Sequence, residues 1–193
     1  MTRFTTISAD SHVIEPSDLW VDYIDPAFRN RAPHVERVRG YDVFRCEEVT
    51  LLGVGSVSGA GQPSRILSRK SRYDDINRGA WDPKARLLEI SEDGIQGEVL
   101  YPSIALKMFA LTDISYQIAC FQAYNRWVAE FCSYAPRRFK AVGLVPIQDV
   151  QLAVAETQAA EQLGLSGIAV AINPGLEQRY DDPKFDPLWA AAQ

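Results

Sequence analysis

An aspartate and a histidine two residues apart, Asp10 and His12, are the side chains near the amino terminus whose types and spacing could do chemistry. They lie in Ile7–Val13, which reads as a short β-strand, and Glu15-Pro16 would end that strand because proline cannot continue a central ladder. Side chains at positions i and i+2 of a strand lie on the same face. A carboxylate and an imidazole side by side could supply two ligands of a divalent metal. The alternative is that Asp10 makes a turn and His12 is a hydrogen-bonded, half-buried histidine.

Composition and charge narrow the class of protein. A chain of 193 residues that is 47% hydrophobic can bury a sizeable core, as one domain or as part of a larger one. The net charge of -5 gives no electrostatic reason to expect a nucleic-acid partner, and the apolar runs are too short to span a bilayer. The three cysteines have no C-x-x-C spacing, and no apolar leader follows the first methionine. We therefore expect reduced thiols and a cytoplasmic location.

Amphipathic segments with helix-capping residues alternate with short apolar runs along most of the chain. Asp82 is a good N-cap, and Pro83 occupies the first helical position, where its missing N–H costs nothing. The pattern predicts helices near 83–92, 112–134 and 149–163, a last helix from Asp186, and strands near 5–13, 97–102, 140–146 and 167–172. Such alternation is typical of parallel β/α units. Residues 26–80 show no such periodicity and are predicted to be an irregular stretch that lies over the active-site face as a substrate-shaping lid.

Four further side chains are candidates for the site, and three of them have a second interpretation. Glu15 could orient His12, or it could be a turn carboxylate before Pro16. Tyr101 and Ser103 close the second predicted strand and could touch substrate, or Tyr101 could only pack. His34, in a polar stretch after a proline, is interpreted as solvent-exposed or capping, with a functional role as the alternative.

Segments spread over nearly the whole chain resemble the amidohydrolase-related family that includes aminocarboxymuconate-semialdehyde decarboxylase. They are Ala9–Pro16, Gly79–Leu87, Asp93–Ile95, Glu98–Ser103, Ala123–Phe131, Pro136–Phe139, Gly143–Pro146, Gly164–Ile168 and Phe185–Trp189. The resemblance implies a metal-dependent (β/α)₈ barrel of the TIM type. It also implies that Asp10 and His12 occupy the positions of two metal ligands from the first strand, with zinc as the expected metal.

The resemblance further implies that the remaining ligands, a His after the fifth strand and an Asp after the eighth, lie beyond residue 193, as does the catalytic His. We therefore expect one partial barrel domain, residues 1–193, with about four β/α units and a long loop insertion at about 26–80. The implied activity is hydrolysis or non-oxidative decarboxylation of a small, carboxylate-bearing organic substrate.

Alone, this chain is expected to be inactive, because a catalytic zinc site needs three protein ligands. The expected partner is a second copy of the chain, in a homo-oligomer, or a complementing C-terminal half. The alternative is a non-catalytic fragment or pseudo-enzyme that acts by associating with a partner chain.

Overall fold

The computed structural model describes residues 6–47, 49–52, 71–175 and 178–193. Within these residues the strands are β1 (Thr6–His12), β2 (His34–Val38), β3 (Tyr41–Cys46), β4 (Val49–Leu52), β5 (Ile95–Tyr101), β6 (Phe139–Leu144) and β7 (Gly167–Ala169). The α-helices are α1 (Leu19–Tyr23), α2 (Pro83–Glu92), α3 (Ile114–Ser133), α4 (Val150–Gln162) and α5 (Asp186–Ala192), and short 3₁₀ helices connect several of these elements.

A parallel sheet in the order β1-β5-β6-β7 forms the centre of the molecule. Each neighbouring pair is parallel, and α3 and α4 connect β5 to β6 and β6 to β7. Neighbours in the sheet are therefore successive β/α units, as in a barrel wall. The predicted fold, about four units of a TIM-type (β/α) barrel, is confirmed. The strand predicted at 167–172 is shorter in the structure, where β7 ends at Ala169.

The helices begin where the sequence places their caps. The Asp82 carboxylate accepts the backbone N–H of Lys84 at 2.8 Å, and Asp113 and Asp149 cap α3 and α4 in the same way. Gly94, after α2, has a φ of 74°, a left-handed conformation that glycine adopts without a Cβ clash. Among the helices described, none has the length and apolar character that crossing a membrane requires.

Helix α3 contributes more buried apolar side chains to the main core than any other element described. Its buried face includes Phe121, Tyr124 and Val128, and Phe131 packs its ring 5.5 Å from that of Phe139 in β6. One buried polar residue, Asn125, lies on the same face. Its side chain accepts the N–H of Leu144 at 2.7 Å and donates to the carbonyl of the same residue at 3.0 Å. This amide therefore holds α3 to the carboxyl end of β6.

The prediction of an irregular stretch over residues 26–80 is wrong for residues 34–52. Strands β2, β3 and β4 form a separate antiparallel sheet there, and Phe44 of β3 is buried with its ring 5.1 Å from that of Trp20. A two-residue turn joins β2 to β3, with positive φ at Arg39 (52°) and Gly40 (86°), as hairpins prefer. Residues 53–70 lie outside the described residues. The role as a lid, and the division into one domain with an insertion, stay predictions.

We expect Asn125→Ala to lower the free energy of unfolding by about 2–3 kcal/mol, because it leaves the buried N–H and C=O of Leu144 without partners. Urea unfolding followed by circular dichroism measures this change. Asn77→Ala is the matched control, since Asn77 is exposed and its side chain caps no helix. Equal effects of the two substitutions would show that the Asn125 amide does not hold β6.

Candidate metal site at the end of β1

Asp10 and His12 lie side by side at the carboxyl end of β1. Asp10 Oδ1 is 3.6 Å from His12 Nε2, and the two side chains are 84% and 46% exposed. The structure thus brings together the two residues that the sequence singles out. No other hydrogen bond or ion pair engages the Asp10 carboxylate among the described residues, so its oxygens are available to a ligand.

An irregularity in the pairing of β1 determines which side chains share a face. Ser8 is opposite Glu98 of β5 and Ser11 is opposite Leu100, so β1 has one extra residue between these points, as in a β-bulge. After this point Ser11 donates a hydrogen bond of 2.8 Å to Glu98. Because strand side chains alternate, Asp10 and His12 project from the opposite face of the sheet.

A buried ion pair lies on the face that Ser11 occupies. Arg86 of α2 contacts Glu98 with two parallel bonds, Nε to Oε2 at 2.8 Å and Nη2 to Oε1 at 2.9 Å, and the Glu98 side chain is only 3% exposed. The remaining guanidinium nitrogen of Arg86 donates to the carbonyl of His12 at 3.1 Å. Arg86 was not among the residues that the sequence points to. The signal in the sequence was Glu98 itself, a glutamate among the apolar residues of the second half of β5, where a buried charge needs a partner.

The His12 ring is oriented from its other side by the turn after β5. Its Nδ1 lies 2.9 Å from the carbonyl oxygen of Pro102. A carbonyl can only accept, so this contact favours the tautomer with the hydrogen on Nδ1 and leaves the lone pair on Nε2, which faces Asp10. Ser103 Oγ is 3.5 Å from Nδ1, and the half-buried Tyr101 ring lies 6.0 Å from the imidazole. Both residues proposed to touch substrate are therefore beside His12.

Glu15 contacts neither Asp10 nor His12. Its fully buried carboxylate instead accepts the backbone N–H groups of Ser103 (3.1 Å), Ile104 (2.9 Å) and Ala105 (3.0 Å). Burial raises the pKa of Glu15, and these three N–H groups oppose the rise. Glu15 thus holds the turn after β5, the segment whose Pro102 carbonyl meets His12.

His34 lies in β2 and contacts its own hairpin, not the Asp10–His12 pair. Its Nδ1 is 3.1 Å from the carbonyl oxygen of Ala32, its Nε2 is 3.7 Å from Glu36, and the side chain is largely exposed. These contacts agree with the interpretation as a solvent-exposed or capping histidine. In the part of the chain that the structure describes, no three His, Cys, Asp or Glu side chains form a cluster that could hold a metal.

Comparison with known proteins identifies the family. The sequence model of the family described as Amidohydrolase matches residues 76–193, more than half of the chain. The chain belongs to the amidohydrolase family. This amidohydrolase chain is also 27% identical over 119 residues to 2-amino-3-carboxymuconate-6-semialdehyde decarboxylase of Dictyostelium discoideum, covering 61% of the chain and 32% of that protein. Asp10 and His12 precede residues 76–193, the part of the chain that the family model matches, so their assignment rests on geometry.

Two solved structures share the fold over nearly the whole chain. An amidohydrolase of Mycobacterium avium subsp. paratuberculosis superposes with a TM-score of 0.72 at 20% identity, covering 98% of this chain and 56% of that one. A 5-carboxyvanillate decarboxylase of Novosphingobium aromaticivorans, complexed with manganese and a nitrobenzoic acid, superposes with a TM-score of 0.61 at 18% identity, covering 97% and 47%. The chain thus spans about half of these structures and about a third of the Dictyostelium protein.

We expect Arg86→Met to cost about 3–5 kcal/mol of stability, because it leaves the Glu98 carboxylate buried without its cation. Replacing both Arg86 and Glu98 should lower the stability much less than Arg86→Met alone. A double-mutant cycle of urea unfolding measures this difference. Arg179→Met is the control, because Arg179 makes a similar two-bond contact with Asp181 in full exposure to solvent and should leave stability unchanged. A similar loss of stability in Arg86→Met and Arg179→Met would mean that burial of Glu98 has no energetic consequence.

Proposed function

We propose that Asp10 and His12 are two protein ligands of a divalent metal in an enzyme of the hydrolase or non-oxidative decarboxylase type. The substrate is a small organic molecule that carries a carboxylate. The observation that carries this proposal is the pairing of an unengaged carboxylate with an imidazole nitrogen 3.6 Å away, at the carboxyl end of a strand in a β/α sheet. That end of the strands is where barrel enzymes build their active sites.

The donor atoms and their spacing fit a metal. Two ligands that each bind at about 2.1 Å lie about 3.0 Å apart at right angles and about 3.4 Å apart in a tetrahedral site. The separation of 3.6 Å between Asp10 Oδ1 and His12 Nε2 is close to these values. A carboxylate oxygen and an imidazole nitrogen suit both zinc, the metal expected from the sequence, and manganese, the metal bound by the Novosphingobium decarboxylase.

The second His-acid pair of the chain shows why the first is the better candidate. His34 and Glu36 are also two residues apart on a strand, with 3.7 Å between Nε2 and Oε1. Arg45, however, binds the Glu36 carboxylate at 3.0 Å and lowers the pKa of Glu36. A metal would have to compete with that guanidinium, whereas at Asp10 it would not.

We propose that the remaining ligands and the catalytic histidine are supplied by residues outside 1–193. Two ligands do not make a catalytic site, and the described residues contain no third one near the pair. The share of the related structures that the chain spans, about half, supports this proposal. The missing groups would come from a longer polypeptide or from a partner, either a complementing C-terminal half or a second copy.

A metal bound here would supply Lewis acidity, either to activate water or to hold the carboxylate of the substrate while a C–C bond breaks. The chain's own part is to present the His12 imidazole and the Asp10 carboxylate together and to place Tyr101 and Ser103 beside His12. We propose that Tyr101 and Ser103 contact substrate. Two of the relatives named above are decarboxylases, which favours carboxy-lyase chemistry, while the family description keeps hydrolysis as the second candidate. The relatives that are named by an activity are enzymes, and this does not favour the alternative that the protein is non-catalytic. The cysteine pattern supports a cytoplasmic enzyme.

We expect the 193-residue chain to bind zinc or manganese weakly, and His12→Ala to reduce the affinity by about tenfold or more. Isothermal titration with each metal salt measures this change. His34→Ala is the matched control and should leave the affinity unchanged, because the Glu36 beside it is bound by Arg45. Wild-type affinity in His12→Ala, or a loss only in His34→Ala, would contradict the proposed ligands.

The chain on its own is expected to release no carbon dioxide from 5-carboxyvanillate, because two protein ligands cannot hold a metal firmly enough for catalysis. The measurement is carbon dioxide release with zinc or manganese in excess. Turnover by the chain alone that disappears in His12→Ala would show that the ligand set is completed within residues 1–193.

A further inference from the structure

We propose that Glu15 is a positioning residue for His12: it anchors residues 103–105 so that the Pro102 carbonyl stays at the Nδ1 atom of the imidazole. The inference deepens the proposed function, because it concerns how one proposed metal ligand is held in its ligating form. Glu15 itself touches neither His12 nor Asp10, and its effect passes through the backbone of the turn after β5.

The anchor consists of three backbone N–H groups that converge on one carboxylate. Ser103 and Ala105 donate to Oε1 at 3.1 Å and 3.0 Å, and Ile104 donates to Oε2 at 2.9 Å. Every one of these contacts brings a donor to Glu15, so the arrangement suits an ionised carboxylate, which only accepts. Such charge-assisted bonds are the stronger class of hydrogen bond, and here they join segments nearly ninety positions apart in the sequence.

The position of Pro102 turns this anchor into a constraint on His12. Pro102 immediately precedes the three anchored residues, and its carbonyl oxygen is 2.9 Å from His12 Nδ1. A metal-binding histidine needs its other nitrogen engaged by an acceptor, which selects the tautomer and the ring orientation. If the anchored segment moved, Nδ1 would lose its acceptor, and the hydrogen could shift to Nε2, the atom that faces Asp10.

The backbone around Glu15 is held in place by hydrogen bonds of its own. Tyr73 donates its hydroxyl to the Glu15 carbonyl at 3.1 Å, and the N–H of Ile14 donates to the carbonyl of Ala80 at 2.8 Å. The backbone of residues 14–15 is thus bound independently of the carboxylate. A substitution that alters only the Glu15 side chain therefore tests the anchor, and Tyr73→Phe is a control that removes a neighbouring hydrogen bond and leaves the anchor intact.

The chain offers a clean test, because it has only two histidines, His12 and His34. Two-bond ¹H–¹⁵N NMR correlations on ¹⁵N-labelled protein at about pH 8, above the ordinary imidazole pKa of about 6.5, report the tautomer of each ring. We expect His12 to be predominantly the Nδ1–H tautomer in the wild type. Glu15→Gln should raise the Nε2–H fraction of His12, because the amide NH₂ is itself a donor and cannot accept from the backbone N–H groups. Glu15→Asp should give an intermediate Nε2–H fraction.

His34 should be unchanged in both Glu15 variants, and Tyr73→Phe should retain the wild-type pattern of His12. A wild-type His12 pattern in folded Glu15→Gln would overturn the inference, even if that variant unfolds at a lower temperature. If Glu15→Gln does not fold, Glu15→Asp decides: an increased Nε2–H fraction supports the inference and an unchanged one overturns it.

Zinc titration separates this inference from the proposed function. Folded Glu15→Gln should bind zinc about tenfold more weakly than wild type, and its loss should not exceed that of His12→Ala, because Glu15 acts only through His12. Wild-type zinc affinity in His12→Ala would refute the metal site while leaving the tautomer result intact. An unchanged tautomer in Glu15→Gln, with zinc affinity still dependent on His12, would refute only the role of Glu15.

Discussion

The parallel pairing of β1 with β5 is the constraint on which the candidate site depends. His12 is opposite Tyr101 in this register, and the N–H of Val13 donates to the Tyr101 carbonyl at 3.0 Å. The end of β1 therefore lies beside the turn that follows β5. This one alignment brings the Pro102 carbonyl to His12 and residues 103–105 to Glu15. A shift of one residue in this register would turn Asp10 and His12 to the face that α2 covers, and it would break both contacts.

Three carboxylates near the end of β1 have three different environments, and the comparison explains why one of them is the candidate ligand. Glu98 is buried and neutralised by Arg86, and Glu15 is buried and satisfied by backbone N–H groups. Both arrangements compensate a charge that would otherwise be costly to bury. Asp10 remains exposed, with His12 as its neighbour. Glu98 binds Arg86, which in turn donates to the His12 carbonyl, and Glu15 holds the turn after β5. The carboxylate of Asp10 is available for chemistry.

Much of the fold could be predicted from local sequence signals, because caps and periodicity act over short distances. Asp82 caps its helix as its position predicts, and α3 and α4 begin within about two residues of their predicted starts. The spacing of Asp10 and His12 predicted that they lie together. The small antiparallel sheet was missed, because its hairpin turn has an arginine at positive φ, a conformation more often taken by asparagine or glycine. The anchor of Glu15 and the pairing of Arg86 with Glu98 join distant parts of the chain, and no local pattern specifies such contacts.

The most direct test of the account is to locate the metal. Crystals of the protein grown with manganese, measured at a wavelength where manganese scatters anomalously, would show the ion as a peak in the anomalous difference map. The account predicts a peak about 2.0–2.3 Å from both Asp10 Oδ1 and His12 Nε2, with Pro102 still at Nδ1. A peak at His34 and Glu36, with none at Asp10 and His12, would contradict it.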